Sequence, residues 1–137
     1  SNGCAAGGSL AEAMLFGLME VIERDAFLVS WHSGRRLQAY AAAQSPDPTA
    51  RAMLARLEAE GLQVTVLDIG CGLPGSSLAV CAADPAQRLD AALVCAAASH
   101  VDPDRALRAA LNEVLTMKRI ETDAEKDRRR ALAAQLL

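Results

Sequence analysis

Glu12, Glu20, Glu23 and Arg24 fall within one stretch, LAEAMLFGLMEVIERDAF, whose apolar spacing is that of a helix. At 100° per residue, Glu23 lies about 20° around the helix from Glu12, Glu20 about 80° and Arg24 about 120°. Three carboxylates thus share one face with a guanidinium at its rim. Glu20 and Glu23, three residues apart, repel each other unless a cation sits between them. Such a set suits a hard ion such as Mg2+, which takes a few carboxylates together with waters and phosphate oxygens. Arg24 can grip phosphate with two donors. The glycine-rich opening, SNGCAAGG, offers backbone N–H groups at the helix N-terminus. Together these parts describe a nucleotide–metal site. A plainer reading competes residue by residue. Glu12 is also the third helical residue of a capping box opened by Ser9, and Glu20 with Arg24 also makes an ordinary surface pair. Spacing alone favours the solvated face. The glycine run has neither the G-x-x-x-x-G-K-[ST] of a phosphate loop nor a preceding strand.

The elements that must carry these residues read in order as helix, helix, strand, strand, strand, helix. The first helix spans about 9–28, with Leu10, Met14, Leu18, Val21, Ile22 and Leu28 as its expected buried stripe. Trp31, His32, Arg35 and Arg36 are expected in a loop or short helix. Asp47 and Pro48 start a second helix over about 48–60, lined by Ala52, Leu54, Ala55, Leu57 and Ala59 and ended by Gly61. Strands are expected at about 62–69, 77–82 and 91–98. The last helix, about 103–120, carries Leu107, Leu111, Val114 and Leu115 on one side, and a charged helical tail follows from Glu121. The fold class is α+β, with helices layered on a small sheet.

Composition narrows the function classes. The chain has 137 residues, of which 52% are hydrophobic and only 3% aromatic, so a core of small aliphatic side chains is expected. Its formal charge of −3 gives no general attraction to nucleic acid or anionic lipid. Acids such as Glu125 and Asp127 flank Arg128–Arg130, which reads as a solvated helix. No apolar run approaches the roughly 20 residues of a membrane span. Cys4, Cys71, Cys81 and Cys95 form no C-x-x-C pair, and no secretory signal is present, so reduced cysteines in a cytoplasmic protein are expected. His32 and His100 stand alone, and Trp31 reads as a packing anchor. The chain opens at Ser1 without an initiator Met, as expected of a piece of something longer.

The stretch SNGCAAGGSLAEAMLFGLMEVIERDAF closely resembles the signature of the YcaO family, approximately S-N-G-x-A-x-G-x-x-x-x-E-A-x-x-x-G-L-x-E-x-x-E-R-D-A. A looser likeness continues through GLQVTVLDIG and HVDPDRALRAALNEVL, so that it covers most of residues 1–120. The resemblance implies part of a larger YcaO-like domain that uses ATP and Mg2+ to activate a peptide backbone amide. In azoline-forming members a Cys, Ser or Thr side chain attacks the preceding carbonyl, and the resulting oxygen takes the γ-phosphoryl group. Phosphate then leaves. The resemblance assigns Glu12, Arg24, Glu113 and, less firmly, Asn2 to the nucleotide, and Glu20 and Glu23 to the metal. It also implies a peptide substrate with a leader sequence and a leader-binding partner protein; a homo-oligomer is expected separately, from self-association over exposed apolar surface.

Three departures weigh against a complete enzyme. The later family motif, E-x-x-Q-x-R, reads here Glu113-Val114-Leu115-Thr116-Met117-Lys118, and lysine keeps the charge but loses the guanidinium fork. An earlier acidic motif would lie ahead of Ser1. The proline-rich C-terminus of many azoline-forming members is absent. This stretch alone is therefore expected to turn over little or no ATP, and to expose an apolar surface where the rest would dock. The rival reading is a non-catalytic YcaO-like module that scaffolds a modification complex.

Overall fold

The structure, a computed structural model, describes residues 2–86 and 91–117. Helix α1 (Leu10–Ser33) opens at Ser9, whose Oγ accepts the Glu12 N–H at 3.2 Å, and closes at Gly34 in the left-handed region at φ 61°. It runs five residues beyond the expected end at 28, because nothing before Gly34 breaks it. Trp31 and His32 therefore lie on its last turns and not in a loop. Strand β1 (Gln38–Ala39), too short to show a pattern in sequence, precedes a single 3-10 turn (Ala42–Gln44) and α2 (Pro48–Ala59). Asp47 caps α2, accepting the Thr49 N–H at 2.8 Å, with Pro48 in the first turn. Strands β2 (Gln63–Asp68), β3 (Ser76–Ala83) and β4 (Leu93–His100) lead into α3 (Pro103–Met117). The charged tail, Lys118 included, lies outside the described residues.

The four strands form one antiparallel sheet in the order β1-β2-β3-β4. Its alternation sorts side chains onto two faces. Val66, Leu78, Val80, Ala82, Val94 and Ala96 face α2 and α3, where Leu57, Leu107, Leu111 and Val114 complete the larger core. Leu67, Ile69, Ala79 and Ala97 face α1, which meets them with Ala26 and Phe27. The result is α+β, with two helices on one side of the sheet and one on the other. On α2 the buried residues are Ala50, Leu54 and Leu57, whereas Ala52, Ala55 and Ala59 of the expected lining point outward.

The larger correction concerns α1. Of its expected buried stripe only Ile22 is covered; Leu10 is 79% exposed, Met14 66% and Leu18 54%, with Val21 and Leu28 close behind. The helix sits on Met19, Ile22, Ala26 and Ser30 instead. Sheet residues Ala79 and Ala97 are small, and the helix meets them at Ala26, which is small as well. The most apolar stripe is left turned outward, giving the exposed apolar surface expected from the sequence. Among the described residues no helix is long and apolar enough to cross a membrane.

Leu111, fully buried between α3 and the sheet, is expected to cost about 3 kcal/mol when cut to Ala, whereas Leu18→Ser on the outward stripe should change stability by less than about 0.5 kcal/mol. Urea denaturation of the two variants measures both.

Candidate functional site

Close seating of α1 on Ala79 and Ala97 brings Glu23 to the outer edge of the sheet. There the Ser99 N–H of β4 donates to its carboxylate. Helix α3, on the opposite face, brings Glu113 toward the same point. The two carboxyl groups, 90 residues apart in sequence, flank the end of β4 from its two sides. Burial pushes the Glu23 carboxyl up to about 7, and the negative charges of Glu113 and Glu20 push in the same direction. Arg24 and the Ser99 N–H pull it down, without cancelling the rise.

Glu23 and Glu113 line a cleft of about 300 Å³ together with Asn2 and Arg24. Phe27 and Met117 supply apolar walls, and residues 95–97 of β4 form the floor. Four of the six residues expected at the site thus surround one cavity. Glu20 is not in its lining; its Oε1 accepts from Arg24 Nε at 3.0 Å, so it holds the arginine from beside the cleft. Glu12 is also outside. Its Oε2 accepts the N–H of Gly8 at 2.6 Å, one residue ahead of the Ser9 cap that a capping box would use, and at 1.5 Å per residue it sits about 16 Å along the helix from Glu23. The face is shared as the spacing implied, but the axial distance keeps Glu12 from joining Glu23 around a single ion.

Among the described residues no group of three or more His, Cys, Asp and Glu side chains is arranged to hold a metal. Glu23 and Glu113 nevertheless form a hard-oxygen pair whose repulsion a cation would relieve. Mg2+ is commonly held by one or two carboxylates, its other positions going to waters and phosphates, so the pair fits that ion. Thr116 bonds its own helix, donating from Oγ1 to the Asn112 carbonyl at 2.6 Å, and does not line the cleft.

Spacing alone missed the apolar walls and the floor. Phe27 and Met117 each lie four residues beyond a cleft carboxylate, Glu23 and Glu113, a helical repeat that was available to find them. The floor could not be found, because it depends on which strand ends the sheet. The remaining candidates have structural roles. Arg35 ties the end of α1 to the β2–β3 turn through Ser30 Oγ and the carbonyls of Ile69 and Gly70. His100 Nδ1 accepts the Asp102 N–H at 2.9 Å at the entry to α3. Trp31 stacks on Phe27 with ring centroids 6.1 Å apart, yet is 67% exposed and so anchors no core. Cys81 and Cys95 face each other across β3 and β4 with sulfurs 3.3 Å apart, and burial pushes the Cys81 thiol up to about 12. It stays protonated and unreactive at neutral pH.

A family model described as YcaO cyclodehydratase, ATP- and Mg2+-binding, matches residues 1–136. A protein of Methanothermobacter thermautotrophicus described only as uncharacterized is 34% identical over 115 residues, 83% of this chain and 30% of that protein. A heterocyclase solved in complex with substrate and cofactor superposes with a TM-score of 0.76 at 29% identity, over 83% of this chain and 15% of the other. The heterocyclase TruD gives 0.77 at 27% identity, over 85% and 17%. The E. coli microcin synthetase McbBCD with pro-MccB17 bound shares the fold, with a TM-score of 0.65 at 24% identity, over 83% and 29%. The chain therefore spans less than a third of the length of each of these relatives.

Because the folded chain holds the Glu23 proton up to about pH 7, its ionisation costs stability as pH rises from about 4.5 to 7. Glu23→Gln removes that cost. In the metal-free protein the variant is expected to be about 1 kcal/mol more stable than the parent at pH 8, less than full linkage would give because the side chain is partly solvated. The difference should vanish below about pH 4.5. Thermal melts across that range measure it.

Proposed function

The chain belongs to the YcaO family, and from that membership we propose that it forms part of an ATP- and Mg2+-dependent enzyme that activates a peptide backbone amide, as in azoline formation from Cys, Ser or Thr. The observation that carries the reading is the convergence of Glu23, Glu113, Arg24 and Asn2 on one cleft from three separate parts of the chain. An amide oxygen is a very poor leaving group; ATP supplies the phosphoryl group that converts it into a good one, and Mg2+ neutralises the charge.

This chain's residues have the following parts. Glu23 and Glu113 offer the hard oxygens for the cation. Glu20 holds Arg24 through Nε, which leaves the outer nitrogens of the guanidinium for phosphate. Phe27 and Met117 give the cleft an apolar side beside the charged groups. Glu12, far along the helix, can meet only an extended ligand or one that reaches the helix N-terminus. Relatives with bound substrate or pro-peptide support a peptide as the substrate here, delivered by a leader sequence and a leader-binding partner protein. The exposed stripe of α1 is where the rest of the domain, or a second copy, would cover apolar surface.

The second reading, a scaffold module without turnover, is favoured by Thr116. Its hydroxyl is spent on its own helix, in a motif position where the family uses a longer amide.

ADP release by the full-length protein with its precursor peptide and partner separates the two. On the enzymatic reading, Glu23→Gln and Glu113→Gln each lower kcat by about 10²-fold or more, and Arg24→Lys by about tenfold. Unchanged turnover in Glu23→Gln overturns the metal assignment, and no peptide-dependent ADP from the parent leaves the scaffold.

A further inference from the structure

The floor of the cleft is a strand edge with unused hydrogen-bonding groups. The Asp84 N–H donates to the Ala92 carbonyl at 2.9 Å, and these residues continue the β3–β4 register in which Ala83 faces Leu93. In an antiparallel pair hydrogen-bonded and non-hydrogen-bonded partners alternate. On β4 it follows that Val94, Ala96 and Ala98 bond to β3, while Leu93, Cys95, Ala97 and Ser99 turn their N–H and C=O groups outward. The β2–β3 pair agrees, since the Ile69 N–H donates to the Ser77 carbonyl and so turns the odd residues of β3 toward β2. The outward Ser99 N–H is the one taken by Glu23. Those of Cys95 and Ala97 have no partner among the described residues, and both residues line the cleft.

We propose that the outer edge of β4 at Cys95 and Ala97 binds the substrate peptide as an added strand, and that this pairing delivers a backbone amide to Glu23 and Glu113. The proposal rests on the amide-activating reading above and adds how the substrate is held. Donors and acceptors recurring every second residue, about 7 Å apart, match an extended backbone. Pairing of this kind reads backbone and not side chains, as suits an enzyme that acts on the backbone itself. Because Glu23 caps the edge at Ser99, an added strand runs out beside the carboxylates. Its carbonyls alternate, so the amide to be activated is one that faces away from β4 or lies past Ser99.

The test uses the full-length protein with the precursor peptide that supports ADP release. Proline is tolerated on an edge strand where the N–H it removes points outward. Cys95→Pro and Leu93→Pro, which leave the Ala97 seat of α1 untouched, are expected to raise the KM for peptide roughly fivefold each, and by more than they raise the KM for ATP. Independently of whether these variants fold, a series of peptides N-methylated one position at a time should show affinity losses at every second residue on one side of the modified site. Hydrogen exchange over residues 93–99 should slow when peptide is added. A raised KM for ATP alone, an N-methyl series without period two, or an edge already protected before peptide is added each overturns the proposal. In the last case the edge belongs to the protein's own chain. Peptide-dependent ADP release with none of the expected effects removes strand addition and leaves amide activation standing. Absence of peptide-dependent ADP release from the parent removes both.

Discussion

Helix α1 can lie close against the sheet because Ala26 meets Ala79 and Ala97, with no large side chain between them. That contact sets the height of the helix above β4 and hence the position of Glu23. With bulkier residues there the helix would ride higher, and Glu23 would not reach the Ser99 N–H. The low aromatic content and the heavy use of alanine are thus part of how the site is made. Small side chains contribute little burial each, and the loss is offset on the other face, where Leu57, Leu78, Leu107 and Leu111 are fully covered.

The division of labour between the two faces follows from this. Helices α2 and α3 hold the larger core. Helix α1 shares only a small cluster with the sheet, presents Glu23 and Arg24 at its edge, and leaves its most apolar stripe uncovered. A carboxyl pushed up to about 7 and a wide apolar helix face both cost the isolated chain solubility or stability. On the proposed reading, a cation at the carboxylates and further protein surface on the stripe would relieve both costs.

Much of this was legible beforehand. The capping residues Ser9 and Asp47, the glycine that ends α1 and the β-branched run of β2 are local signals, decided within a few residues. The grouping of Glu20, Glu23 and Arg24 also follows from helical geometry alone. Periodicity failed on which stripe of α1 is buried, because it ranks faces by hydrophobicity whereas the sheet selected a face by fit. It also missed β1, where two residues carry no pattern and pairing with β2 alone makes the strand.

The sequence by itself determined the family, the α+β class and the acidic residue types of the candidate site, because those are carried by identities and by spacing along a single helix. Only the tertiary structure decided which acids meet. Glu23 and Glu113 belong to different helices and are joined by the register of β4 between them, while Glu12, on the same helical face as Glu23, is drawn off to a backbone N–H three turns away. Proximity across a sheet edge depends on strand order and on the closeness of helix packing, and neither is encoded in any local spacing.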